Sequence, residues 1–174
     1  MPSLSTIKIV SGGQTGADRA ALDVARENNI PHGGWCPKGR WAEDGALPSV
    51  YNLTETATRR VIVRTRQNVI DSDATVVFTF GPPGGGSRAT LAIAEELKRP
   101  CFHADLSRPD EPALVHEMKA WVTSIQERRS QAVTPHNPLV LNIAGSREST
   151  APGIYQRVKK MLSDMIKSTT LVRE

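Results

Sequence analysis

The chain has 174 residues, enough for one domain with a continuous core, and its 22 Lys and Arg against 18 Asp and Glu give a formal charge of +4. The excess favours anionic partners, but the basic residues are dispersed as pairs (Arg59-Arg60, Lys98-Arg99, Arg128-Arg129, Lys159-Lys160). With three Phe, two Tyr and three Trp there is no stripe on which bases could stack, so nucleic acid is not an expected partner. Cys36 and Cys101 form neither a disulfide framework nor a CxxC pair, the segment Met1 to Lys8 lacks an apolar signal core, and no run of about 18 apolar residues occurs. The expectation is a cytoplasmic protein, unprocessed and not spanning a membrane.

Ile7 to Val10 reads as a strand running into Ser11-Gly12-Gly13, with a helix from about Gly16 to Asn28. Ala17, Ala21, Val24 and Ala25 give that helix a small-residue face that can lie close to a sheet. Pro31 to Pro48 carries too many glycines and prolines for a long element, apart from a short strand at His32 to Trp35, and reads as a functional loop. A basic helix is predicted over about Ala57 to Asn68, capped by Thr54 or Thr56. Thr75 to Phe80 has the composition of a strand buried on both faces. The turn Gly81 to Gly86 follows, then a helix capped by Ser87 and running to about Lys98, with Leu91, Ala94 and Leu97 facing inward. Cys101 to His103 is a short strand and Pro112 to about Gln126 a helix. Arg128 to Pro138 reads as a surface loop, Leu139 to Ile143 as a strand ending in Ala144-Gly145-Ser146-Arg147, and Gly153 to Ile166 as the last helix. This alternation predicts a single Rossmann-like α/β domain over residues 1–174, a three-layer sandwich with a mainly parallel sheet and helices on both faces.

Three glycine-rich turns follow three apolar strands, and in a parallel sheet the carboxyl ends of the strands share one edge, where ligands bind. Each turn offers backbone N–H groups at a helix start, where an anion such as a phosphate is favoured. The candidate ligand residues are Gly12, Gly13, Gln14 and Thr15 on the first turn; Gly84, Gly85, Gly86, Ser87, Arg88 and Thr90 on the second; and Ser146 and Arg147 on the third. Neither GxGxxG nor GxxxxGK[ST] is present, which removes the usual support for hydride transfer or nucleotide hydrolysis. In the loop Gly33 to Gly45, Lys38 and Arg40 could hold a second anionic group. Trp35 or Trp41 could cover a flat ring, or serve as a core residue and a surface staple. Glu43 and Asp44 could bind amino groups of a heterocycle or merely anchor the loop. Cys36 is better read as a small buried thiol than as a soft metal ligand. Asp18 is explained by its place in the first turn of a helix. The four histidines show no metal-ligand spacing, and no motif supports catalysis.

At these residues a family becomes recognisable. Val10-Ser11-Gly12-Gly13-Gln14-Thr15-Gly16-Ala17-Asp18, Gly33-Gly34-Trp35-Cys36-Pro37-Lys38-Gly39-Arg40 with Ala42-Glu43-Asp44-Gly45, Asn68-Val69 with Ser72-Asp73-Ala74-Thr75, and Gly84-Gly85-Gly86-Ser87 with Thr90 closely resemble the molybdenum cofactor carrier proteins. The match covers about residues 7 to 106. That family is a branch of the SLOG superfamily, which includes the lysine-decarboxylase-like cytokinin-activating proteins and the DNA-processing protein A fold. In the DNA-processing relative a Gly-Ser-Arg turn precedes a Ser-Gly-Gly turn, whereas here Gly145-Ser146-Arg147 follows Ser11-Gly12-Gly13, so the chain looks circularly permuted and its third turn should lie beside its first.

The resemblance implies a homotetramer that binds the phosphate-bearing molybdopterin of molybdenum cofactor, protects it and delivers it to molybdoenzymes as acceptors, a carrier rather than an enzyme. The alternative is a nucleotide N-ribohydrolase or a nucleotide-sensing module of the same superfamily. The cytokinin-activating relatives use a glutamate in PGGxGTxxE. Laying Pro83-Gly84-Gly85 on that pattern puts Leu91 at the glutamate position, with Glu95 and Glu96 a turn or more beyond, so the expected catalytic carboxylate is missing.

Overall fold

The computed structural model of the protein describes residues 7–130 and 138–170, with side chains to residue 167. In chain order the elements are β1 (Ile7–Val10), α1 (Ala17–Glu27), β2 (His32–Gly33), β3 (Trp35–Cys36), β4 (Trp41–Ala42), β5 (Gly45–Ala46), β6 (Thr54–Glu55), α2 (Val61–Ile70), β7 (Ala74–Thr79), α3 (Gly85–Glu96), β8 (Cys101–Asp105), α4 (Glu111–Ser130), β9 (Leu139–Gly145) and α5 (Ile154–Thr170). Five of the strands form one parallel sheet in the order β2-β1-β9-β7-β8, and helices cover both faces, a Rossmann-like architecture.

The last strand in the sequence occupies the middle of the sheet. Leu139 to Asn142 pair with Ile7 to Val10 on one side, and Leu141 to Gly145 pair with Ala74 to Phe78 on the other. All six residues of β7 are buried, as the unbroken apolar run of a strand covered on both faces requires. One face packs on α1, α4 and α5 through Ile7, Ile9, Val76, Phe78, Leu141 and Ile143. Ala17, Ala20, Ala21, Val24 and Ala25 are wholly buried and keep α1 small enough to lie close under both the sheet and α5. The other face is covered by α2 and α3, where Val69, Ile93 and Ala94 form a smaller cluster. Each large apolar side chain buried this way contributes about 1.5–3 kcal/mol.

Several boundaries depart from the sequence expectation. α2 begins at Val61 rather than near Ala57, because Thr54 and Thr56 are used elsewhere: Thr54 pairs with Trp35 in a two-residue strand, and the Thr56 hydroxyl donates to the Thr58 carbonyl. α3 is capped by Gly84, and Ser87 lies inside it. Its buried face is Ser87, Thr90, Ile93 and Ala94, with Leu97 packed at the margin and Leu91 only half-buried. Two hydroxyls on that face violate the apolar pattern from which the inward side was read. β8 continues two residues past His103, and α4 extends through Arg128 and Arg129 to Ser130, so residues 128–130 of the expected surface loop are helical, and residues 131–137 lie outside the described ones.

The end of β9 is pressed between β7 and the start of α1 at Gly145. A Cβ there would overlap the Phe78 carbonyl oxygen and lie 2.7 Å from the Ala17 Cβ, so β9 can run between β7 and the start of α1 only with glycine at this point. Gly145→Ala is therefore expected to cost about 1–3 kcal/mol by overpacking, read as a lower urea midpoint at unchanged slope. Gly84→Ala, where an added Cβ meets nothing within 4 Å, is the control and should stay within about 0.5 kcal/mol of wild type. Equal stability of the two variants would contradict this packing.

Candidate ligand-binding site

The first and third glycine turns are locked to each other. The Ala17 amide donates to the Ser146 carbonyl at 3.2 Å, the Ser146 amide to Phe78 at 2.9 Å and the Glu148 amide to the Thr15 hydroxyl at 3.2 Å. Gln14 Oε1 accepts from the amides of Thr15, at 3.0 Å, and Glu43, at 2.9 Å, while the Gln14 amide donates to Asp18 Oδ2 at 3.3 Å. Glu43 closes the joint, accepting from the Thr15 hydroxyl and from Ser149 Oγ at 2.6 Å, with Arg147 Nη1 3.7 Å away. Burial raises the Glu43 carboxyl, but the Ser149 and Thr15 hydrogen bonds and the Arg147 charge outweigh it and hold it below the usual carboxylate range. Most donors of these two turns are thus consumed by the protein itself.

The second turn is different. Its start is pinned, with the Gly81 amide donating to Asp105 Oδ1 at 2.8 Å and the Thr79 hydroxyl to the Gly81 carbonyl at 2.6 Å. Beyond that, Ser87 and Arg88 donate back to the Gly84 carbonyl, so the amides of Gly85 and Gly86 are the first two of α3 and have no acceptor within the helix. Gly84, Gly85 and Gly86 are exposed, and here the helix dipole favours an anion.

These amides open onto a cavity of about 640 Å³ at the carboxyl ends of β1, β7 and β9. The second turn and α3 contribute Phe80, Pro82, Gly84 to Gly86, Ser87 and Thr90; the third turn contributes Gly145 to Arg147 and Thr150 to Pro152. Gln14 and Asp18 come from the first turn and α1, and Val61, Arg64 and Thr65 from α2. Of the residues expected from the sequence, Gln14, Gly84, Gly85, Gly86, Ser87, Thr90, Ser146 and Arg147 are brought together here. Gly12, Gly13 and Thr15 lie on the adjoining turn without lining the cavity. Arg88 is exposed with its Nε directed to the Pro83 carbonyl at 3.3 Å. Asp18 is the cavity's carboxylate; burial pushes it up, against the opposing pull of Arg64 and the Gln14 amide.

The residues of the 33–45 loop stand apart from this cavity. Arg40 is spent on its own loop: Nε donates to Leu47 at 2.9 Å, Nη1 to Leu53 at 3.2 Å, and Nη2 to Pro48 and Tyr51, both at 2.9 Å. Lys38 is exposed, and its amide donates to the Thr58 carbonyl at 2.9 Å. Asp44 makes a two-point ion pair with Arg19, both contacts 3.0 Å, at the rim of a separate hollow of about 420 Å³ that also holds Thr15, Tyr51 and Tyr155. The Arg19 hydrogen bonds hold the Asp44 carboxyl below its usual range. Trp35 donates from Nε1 to Asp71 Oδ2 at 2.7 Å, and Trp41 is exposed. Cys36 is fully buried among Leu22, Ala42, Leu47 and Tyr51, and burial pushes its thiol up, which suits a small core residue. Glu95 and Glu96 are exposed and outside the cavity, Glu96 pairing with Arg66 at 2.6 Å.

Arg64 and Thr65 escaped the sequence reading because they sit in a run with Arg59, Arg60 and Arg66 that reads as a solvated basic face. The buried residues of α2 are Arg64, Thr65, Asn68 and Val69, an inward face that is mostly polar and leaves no hydrophobic period to detect. Since Arg40 ties four carbonyls of residues 47–53, Arg40→Met should lower the melting temperature by several degrees and speed amide exchange across residues 38–53, while binding in the cavity stays within about twofold of wild type. Loss of binding with unchanged exchange would instead put Arg40 on the ligand.

Comparison with known proteins identifies the family and the fold. The chain matches the family described as "Circularly permutated YpsA SLOG family" over residues 9–166, nearly its whole length. It is similar to the crystal structure of a "Putative molybdenum carrier protein" from Syntrophus aciditrophicus SB, with 42% identity, 93% of this chain and 95% of that chain covered, and a TM-score of 0.83. No curated protein matches it. The permutation is visible in the sheet itself, where the C-terminal strand β9 lies between β1 and β7 and its Ser146 turn caps the first helix. The chain belongs to the circularly permuted YpsA SLOG family.

Proposed function

We propose that the protein binds molybdenum cofactor in the 640 Å³ cavity, shelters it from oxidation and releases it to an acceptor enzyme. The observation that carries this reading is the cavity itself: a space in the size range of small-molecule sites, at the ligand edge of a parallel sheet, with the unspent amides of Gly85 and Gly86 at its mouth. The terminal phosphate of the molybdopterin belongs on those amides, with the Ser87 hydroxyl beside them, while the Thr90 hydroxyl donates to the Gly86 carbonyl at 2.9 Å and braces the turn. Ser146 and Arg147 supply donors from the facing turn for the molybdate oxygens. Val61, Phe80, Pro82, Ala144, Ala151 and Pro152 give the cavity apolar walls suited to a flat pterin.

Similarity to a protein described as a molybdenum carrier supports a molybdenum-bearing cargo. Among the described residues no group of three or more His, Cys, Asp or Glu is placed to hold a metal ion, so in this reading the metal travels on its own pterin dithiolene and stays transferable. A homotetramer in the cytoplasm, handing cofactor to molybdoenzymes, completes the proposal on the strength of the family resemblance. No helix among the described residues is long and apolar enough to cross a membrane.

The test is to incubate cofactor with the protein in air and then reconstitute a cofactor-free nitrate reductase, with albumin as control. The expected result is saturable binding and slower loss of reconstituting activity. Recovery equal to albumin without saturable binding would refute the carrier reading. Adenine release from AMP by the pure protein would favour the N-ribohydrolase instead.

A further inference from the structure

Arg64 and Asp18 are the buried charged residues among the described ones. Arg64 projects from the first turns of α2 across the first glycine turn, is 8% exposed, and lines the cavity. Its guanidinium lies where a side chain at residue 12 would be: a Cβ on Gly12 would overlap Nη1 and Cζ and come within 2.7 Å of Nε. The glycine at position 12 is thus explained by the seating of an arginine rather than by close approach of a ligand. Asp18 Oδ2, 3.4 Å from Nη1, is its one ion-pair partner among the described residues. That carboxylate also accepts from the Gln14 amide, and Arg64 Nε is buried with no hydrogen-bond partner.

A buried guanidinium normally has its planar fork filled, because unpaired donors out of water are costly. Here the fork is held by a single long contact, inside the cavity that the open α3 amides also face. A carboxylate at 3.4 Å keeps the cation in place without saturating it. Nε itself is closed off, so an oxyanion entering from the cavity side is met by the Nη end of the guanidinium, and the helix start favours an anion there as well.

We propose that Arg64, seated by Gly12 and tethered by Asp18, is the cavity's anion-gripping residue, taking an oxyanion of the bound ligand jointly with the Gly85 and Gly86 amides. This rests on the reading of the cavity as the ligand site and names the chemistry inside it: a tetrahedral oxyanion, whether an esterified phosphate or a molybdate. Gly12 is then a positioning residue that acts through Arg64.

The experiment is calorimetric titration of the intact protein with inorganic phosphate and, separately, molybdate. Arg64→Met is expected to weaken binding about ten- to hundredfold, the range of one or two charge-assisted hydrogen bonds. Because that variant strands Asp18 without a partner and could unfold, Arg64→Met with Asp18→Asn is made as well, removing both charges together. Asp18→Asn alone keeps the cation with a side-chain oxygen still beside it and should bind more tightly than either Arg64 variant, whereas the double variant should bind as weakly as Arg64→Met. Gly12→Ala should weaken binding with Arg64 still present, and Arg88→Ala should change nothing. Phosphate responding more strongly than molybdate, or the reverse, identifies which oxyanion the grip is built for.

If the double variant binds like wild type while Ser87→Ala with Thr90→Ala weakens binding, the cavity reading stands and the role given to Arg64 is wrong. If wild type binds neither anion, or no cavity variant alters binding, the cavity reading fails and the role of Arg64 fails with it.

Discussion

The architecture depends on the placement of one strand. β9, from the far end of the chain, fills the gap between β1 and β7, and both neighbouring ladders are made to it. Without it the sheet would be two separate pairs, and the large core under α1, α4 and α5 would have no floor. The contacts it closes join residues more than 60 positions apart, so their loop entropy is lost before the pairing is gained, and completion of the sheet should come late in folding. The same strand delivers the Ser146 turn to the start of α1. The convergence of turns that makes a cavity and the closure of the fold are therefore one event.

That closure divides the labour among the three turns. Around Gln14 and Thr15, and around Ser146 to Ser149, hydrogen-bonding groups are largely paired with one another and with Glu43, which makes these turns rigid walls. The turn at Gly84 to Gly86 is fixed at Gly81 by Asp105 and left open beyond it. A site built this way combines a preorganised frame with one unsatisfied helix end, and an anion bound there does not have to displace protein partners.

How much of this was legible in the sequence follows from what each signal encodes. β7 and β9 were read because continuous apolar runs have few other uses, and α1 because its small residues recur at helical spacing. The permuted order came from the family resemblance, because Gly145-Ser146-Arg147 follows Ser11-Gly12-Gly13 here and the corresponding turns run in the opposite order in the DNA-processing relative. The start of α2 was missed because Thr54 and Thr56 resemble caps locally, and their use in a strand and a turn depends on Trp35 and Thr58. Lys38 and Arg40 read as anion ligands by charge alone, whereas the carbonyls that occupy Arg40 are set by the path of residues 47–53, which no motif displays. Arg64 was invisible for the opposite reason: its burial depends on a glycine 52 positions earlier that reads as an ordinary turn residue.

The central claim is that ligand enters at the open start of α3 and lies between the second and third turns. A crystal structure of the protein grown with molybdopterin tests it most directly. The account predicts the terminal phosphate on the amides of Gly85 and Gly86 with the pterin inside the cavity. A cofactor seated instead against Lys38 and Trp41, or in the hollow beside Tyr51 and Tyr155, would contradict it.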